Sequence, residues 1–269
     1  MKVMELKKYL KIFLHLKKIG VMNRMAYRVN FFIAVFAVGI QIMFSIVFIK
    51  VVFGSVNNMA GWSYYEALIV VATYIMIEGL MWSLFGQFNA IISHIRQGKL
   101  DGLIIKPVDT QFLVSIWRGD PEDLTRVISG IGLIIYALSN LNLTFAQTAF
   151  NLLVYLFLFF NALVITYSIS VFIKTVSFWT VEGSAFFHIT DSFSRMSQYP
   201  TDIFYHSVVR VLASTIIPLT FMATVPAKVL ARGFDLWLVI GSFVVTGIFF
   251  VGSRKFFQFA LSKYSSASS

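Results

Sequence analysis

Cysteine is absent from the 269-residue chain, which excludes disulfides, thiolate metal sites and cysteine nucleophiles. Charge is scarce: Asp, Glu, Lys and Arg make up 13% of the residues, where a soluble domain carries about a quarter. The four histidines, His15, His94, His188 and His206, are scattered, and no H-E-x-x-H occurs, so no metal site is expected. No G-x-x-x-x-G-K-[ST] loop is present. The Gly98-Lys99 pair lacks the earlier glycine and is followed by Leu100, so no ATP site of that kind is expected in this chain. G-x-S-x-G is also missing. The start does not read as a cleavable signal peptide, since eight of the first 28 residues are Lys or Arg and the first long apolar run begins only at Val29.

Apolar length is plentiful. Hydrophobic residues make up 58% of the chain and the mean hydropathy is +0.80, so the excess apolar surface calls for a lipid solvent. Each membrane-crossing helix needs roughly 20 mostly apolar residues. The net charge is +10, but the cations flank apolar runs, which reads as orientation and contact with anionic lipid rather than nucleic-acid binding. The aromatics near the second run, Trp62, Tyr64, Tyr65 and Trp82, suggest interface belts.

These patterns predict an all-α membrane protein of about six spans forming one transmembrane domain over 1–269. Residues 4–22 form an amphipathic helix, with Lys7, Lys8, Lys11, His15 and Lys18 in one arc and apolar residues around the rest. It suits the headgroup layer; a basic tail that only orients the chain is the alternative. Spans are expected over 29–53, 66–88, 127–143, 147–173, 177–198 and 236–251. A polar stretch, 89–126, separates the second from the third. The 177–198 run contains Glu182, His188, Asp191 and Arg195, and is followed by an outer turn of Tyr199, Pro200 and Asp202.

Charge sets the expected topology. With the N-terminus inside, alternate counting puts 17 of the 22 cations on the cytoplasmic side, Lys174 and the C-terminal Arg254, Lys255 and Lys263 among them. That requires an even number of crossings, with both termini cytoplasmic. The apolar run 208–231, broken by Pro218 and Pro226, is therefore expected to be re-entrant within an outer region, 199–235, and such backbone must be covered by protein or line a cavity.

Intramembrane carboxylates are the first chemical candidates. Glu78 and Glu182 are costly in hydrocarbon unless paired or wet, and are candidate substrate-path residues. Asp191 and Arg195 stand four apart and are expected to form a structural pair. The segment Gly98–Phe112, GKLDGLIIKPVDTQF, is neither apolar enough to cross nor polar enough to be a free linker. Pro107 fixes the chain, and Asp109 or Thr110 can cap a short helix beginning near Gln111. Such an element suits docking to a soluble partner; a loop lying on lipid is the alternative.

This block resembles the G-[DK]-L-D-x-L-L-x-K-P-x-[DN]-x-Q-F block of small ABC type-2 exporter permeases. Ser177-Phe178-Trp179, Tyr199-Pro-Thr-Asp-Ile-Phe204, Ile217-Pro218 and the Ser-rich end, Tyr264–Ser269, are similar to the same family. The resemblance implies a permease of about six spans with re-entrant outer helices, located in the cytoplasmic membrane of a bacterium. It implies a coupling element that docks onto a separate ATPase chain, with ATP and Mg held there and no cofactor here. It further implies a second permease, identical or homologous. Gly98, Lys99, Leu100, Asp101, Lys106, Pro107, Asp109, Gln111 and Phe112 would carry the docking. The acidic step Gly119-Asp120-Pro121-Glu122 departs from the family pattern. Two other readings stand beside this one: a proton- or sodium-coupled carrier working through Glu78 or Glu182, and a membrane enzyme using Asp191, His188 or His206. The substrate is not legible; few charges and many aromatics suit an apolar or amphipathic molecule.

Overall fold

The computed structural model describes residues 2–55, 58–116, 119–141, 143–180, 188, 191–192, 194–203 and 218–264. Their regular structure is helical apart from one isolated bridge between Met59 and Trp62, as the composition predicts. The amphipathic start is α1, Lys2–Ala26, and it turns at Tyr27 into α2, Arg28–Ser55. At 1.5 Å per residue α2 is about 42 Å long, more than a bilayer core of roughly 30 Å. Only Val38, Ile42 and Ile49 of α2 are buried, while Phe32, Phe36 and Phe44 point outward. That is the exposure expected of a helix facing lipid.

The centre of the bundle is α3, Tyr64–Phe85. It begins at Ser63, whose hydroxyl accepts the Glu66 N–H while the Glu66 carboxylate accepts the Ser63 N–H. This capping box closes two otherwise unpaired donors and moves the start two residues ahead of the predicted one. The buried run Ala67–Ile77 packs on α7, Leu124–Ser139. Lipid tails are as apolar as leucine, so close packing rather than water exclusion must hold this pair. Two glycines permit it: a Cβ on Gly79 would lie 2.8 Å from the Asp123 carbonyl, and one on Gly130 would lie 2.9 Å from the Ala72 carbonyl.

Helix α7 starts earlier and stops earlier than the predicted 127–143. Pro121 opens a 3₁₀ turn, Pro121–Asp123, that feeds directly into it. At the other end Ser139 and Asn140 side chains donate to the Tyr136 carbonyl, closing the helix. Its 16 residues span about 24 Å. The next helix, α8, Phe145–Thr175, begins with a second capping box, Thr144 with Gln147. Among the described residues, four helices are long and apolar enough to cross a membrane: α2, α3, the Phe145–Phe178 stretch and Leu236–Lys263.

The last of these continues past the predicted span 236–251, running unbroken through Arg254 and Lys255. Nothing in the sequence breaks it, and its extension has apolar partners. Phe257 is buried against Phe88 and Phe178, and Phe256 stacks on Phe172 and Trp179.

Between α3 and α7 the chain forms three short helices: α4, Ile91–Arg96; α5, Asp101–Ile104; and α6, Thr110–Ile116. They gather at the end of the bundle where α3 stops, here the basic end. Of the predicted span 177–198, residues 181–187, 189–190 and 193 lie outside the described residues, as does 204–217 of the predicted outer region. The described remainder includes a 3₁₀ turn, Thr201–Ile203, and a π turn, Thr220–Thr224, leading into α9, Val225–Arg232; the π turn and α9 are buried against α3 and α8. Pro226 cannot donate to the preceding turn. The Thr224 hydroxyl accepts the Thr201 N–H at 3.1 Å, and the Thr201 hydroxyl donates to Thr220 at 3.0 Å. Irregular backbone is here covered by protein. With α9 placed, Leu236–Lys263 is α10.

Candidate functional site

The block Gly98–Phe112 folds into a knob. Gly98 ends α4 with φ +66°, a conformation glycine adopts without cost. Leu100 and Leu103 turn inward onto Phe88, Ile91, Val114, Val171 and Phe257. Asp101 starts α5 and is half-buried, whereas Lys99, Gly102, Ile104, Ile105, Lys106 and Pro107 are exposed. Ile105 is 83% exposed.

The far side of the block is latched. Asp109 caps α6 by accepting the Phe112 N–H at 2.9 Å, as its position predicts. Both its carboxylate oxygens also meet the Arg254 guanidinium on α10. Burial pushes the Asp109 carboxyl up, but Arg254 and the backbone N–H groups outweigh it and hold the group below its usual range. Arg254 also donates to Gln111 Oε1 at 2.8 Å, and Gln111 is buried. Of the predicted docking residues, the structure therefore brings Asp109 and Gln111 onto α10 and leaves Lys99, Lys106 and Pro107 outward.

The helix α1 straps this end. Lys8 Nζ donates to the Pro107 carbonyl at 2.8 Å, the Tyr9 hydroxyl accepts the Asp109 N–H at 3.2 Å, and the Tyr9 ring meets Phe112 edge-on at 4.8 Å. Lys17 Nζ donates to the Ser83 and Leu84 carbonyls at 3.0 and 2.6 Å. These are terminal carbonyls of α3, where a cation is favourable. Burial lowers the Lys17 pKa to about 8, against the opposing pull of Asp120. Arg24 pairs with Asp120 and lies 3.5 Å from Glu122. The acidic step that departs from the family pattern is thus the seat of α1. Burial raises the Glu122 carboxyl above its usual value, and it does the same to Asp123, although Arg126 donates to Asp123 at 2.8 Å.

A small cavity of about 50 Å³ opens between α3, α8, Asp191 and Ser194. Glu78, Lys174 and Asp191 supply its charges, and Trp82, Phe85, Phe88 and Tyr167 its aromatic wall. Lys174 is 6% exposed and donates to Ser170 Oγ at 2.8 Å. Glu182 lies outside the described residues. Asp191 and Arg195 form the predicted i,i+4 pair at 3.0 Å, so Asp191 is both a pair member and a cavity residue.

The profile of the ABC-2 family transporter proteins matches residues 39–268. This chain belongs to that family. No curated protein and no solved structure matched the chain. An ABC-2 membrane component works with ATPase partners, and members of the family are typically non-catalytic permeases. At the end of this ABC-2 protein remote from the knob, Trp62 Nε1 donates to Asp202 at 3.0 Å, and Arg232 lies over the Trp62 ring at 4.3 Å. Arg232 also bonds both Glu66 oxygens, at 2.9 and 3.0 Å. The predicted turn residues sit beside this clasp: Pro200 is buried and the Tyr199 ring lies 5.6 Å from Phe48.

Sequence reasoning missed Lys174, Arg254 and Tyr167 as site residues. Lys174 follows an apolar run and resembles a flanking cation; its one cue is Ser170 a turn earlier on the same face. Arg254 carried a cue in the unbroken helical pattern that follows it.

Proposed function

We propose that this ABC-2 protein is the permease of an ATP-driven exporter in a bacterial cytoplasmic membrane, and that Gly98–Phe112 docks a separate ATPase. The observation that carries the reading is Ile105. It is a large apolar side chain 83% exposed on a knob anchored from within by Leu100 and Leu103. Solvent gives it no partner; a hydrophobic socket on a soluble subunit would. Lys106 and Pro107 flank it, and Asp109 and Gln111 hold it on α10. ATP and Mg belong to the ATPase chain.

In this arrangement both termini and the knob face the cytoplasm, and the Trp62–Arg232–Asp202 clasp with the region 199–235 faces outward. A second permease, identical or homologous, completes the transporter. The aromatic wall around Glu78 and Lys174 suits an apolar or amphipathic cargo.

Co-purification with the ATPase tests the docking. Fully burying an isoleucine contributes about 1.5–3 kcal/mol, so Ile105→Asp is expected to weaken the complex at least about tenfold. Pro107→Gly and Asp109→Lys are expected to lower ATP hydrolysis stimulated by the permease. Co-purification and stimulation both unchanged in Ile105→Asp would sink the assignment.

A further inference from the structure

We propose that Tyr167 is a positioning residue that makes the wall of the Glu78–Lys174 cavity move with the docking knob. The inference rests on the reading that the knob docks an ATPase, and adds how the knob reaches the membrane-embedded cavity. Tyr167 stands on α8 between two spaces. One side lines the cavity with Glu78 and Lys174. The other lines an apolar cleft of about 470 Å³ that Asp109, Phe112 and Arg254 also border. Its ring lies 4.8 Å from Phe85, at the last residue of α3.

The hydrogen bonds at its hydroxyl have only one consistent direction. Arg254 can only donate, so Gln111 must present Oε1 to it and Nε2 to Tyr167, at 3.1 Å. The single Ser115 proton goes to the Gln111 carbonyl at 2.7 Å. The 2.7 Å bond between Ser115 and Tyr167 must then use the tyrosine proton. Arg254, Gln111, Tyr167 and Ser115 therefore form a directed circuit that joins α10, α6 and α8. Each donor has its acceptor in this arrangement alone, and a slide of α6 past α8 breaks both tyrosine bonds at once. A buried polar network of this kind moves as a unit or is left unsatisfied. Displacement of the knob on its ATPase thus carries the Tyr167 ring, and with it one wall of the cavity. Such a linkage is read as a coupling between the two sites.

The absence of cysteine supplies a clean background for that measurement. Ser194 lines the cavity, and Ser194→Cys provides one thiol for labelling with N-ethylmaleimide. In the full permease–ATPase complex, in lipid, Mg-ATP is expected to change the labelling rate several-fold. In Ser194→Cys combined with Tyr167→Phe the ring stays and both hydroxyl bonds go. The nucleotide-dependent change is expected to vanish while the ATPase still co-purifies. A change that survives Tyr167→Phe, no change in the Ser194→Cys complex, or loss of co-purification on Tyr167→Phe each overturns the proposal. If Tyr167→Phe does not accumulate, Ser115→Ala removes the acceptor of the same proton and carries the test with the same outcomes. Failure of the docking reading is scored separately, by Ile105→Asp leaving the complex intact.

Discussion

Asp109 offers a quantitative test because it does two jobs that substitution can separate. Its Oδ1 caps α6 through the Phe112 N–H at 2.9 Å, and its carboxylate pairs with Arg254. Asparagine caps as well as aspartate but carries no charge. Asp109→Asn therefore removes the ion pair and keeps the cap. The two side chains are 31% and 34% exposed, so solvent screening brings the pair down from the roughly 1.5–3 kcal/mol of a buried charged hydrogen bond to about 1 kcal/mol. Asp109→Ala also loses the cap, about 1 kcal/mol more, for a total near 2 kcal/mol. Denaturant unfolding in mixed micelles measures both variants, and a cycle with Arg254→Ala is expected to give a coupling of about 1 kcal/mol. The pH arm has a definite sign. The folded carboxyl sits below its ordinary value of 3.8, so the folded state holds its proton less tightly than the unfolded state does. The contribution is complete above about pH 4 and fades as pH falls through the folded value. The gap between the natural chain and Asp109→Asn should close in acid. Equal stabilities for Asp109→Asn and Asp109→Ala, or zero coupling to Arg254→Ala, would refute the two-job account.

Three further outcomes are expected. Lys17 titrates near 8 when docked and near 10.5 when free, so the undocked state binds more protons between those values. Protection of α1 from proteolysis should therefore rise from about pH 8 toward pH 10, and Lys17→Arg should abolish the rise. Gly79→Ala forces a Cβ to 2.8 Å from the Asp123 carbonyl and the Arg126 Cβ; overpacking of this kind costs about 1–3 kcal/mol, read as a lower unfolding midpoint in detergent. Glu78→Gln should leave transport dependent on ATP and insensitive to the proton gradient in proteoliposomes, whereas ion-coupled carriage through Glu78 predicts loss of transport.

The long apolar helices were legible because their signal is length, which needs no partner. The α6 cap was legible because Asp109 and the turn before it are local in sequence. Helix ends were less so. Beyond the span 236–251 the charges at Arg254 and Lys255 hid the continuing helix, whose Phe256 and Phe257 carry the packing face past them. Lys174 failed for a related reason: hydropathy counts a lysine as solvated, and only the fold shows that its side chain turns toward Glu78 and Asp191. The acidic step at 119–122 was visible as an anomaly, but its meaning depended on Arg24, which lies almost 100 positions earlier. Contacts of that separation leave no periodic trace.

That separation has a consequence for synthesis. Every seat of α1 is made later than α1 itself: its partners lie 66 to 99 positions downstream for Lys17, Arg24 and Lys8. At roughly 5–20 residues per second, the N-terminal helix emerges many seconds before Asp120 exists to receive it. During that interval its lysines and leucines have only the ribosome, the insertion machinery or lipid headgroups to hold them. This helix, made before these partners, is therefore among the last to find its place, and its arrival closes the end of the molecule that carries the knob.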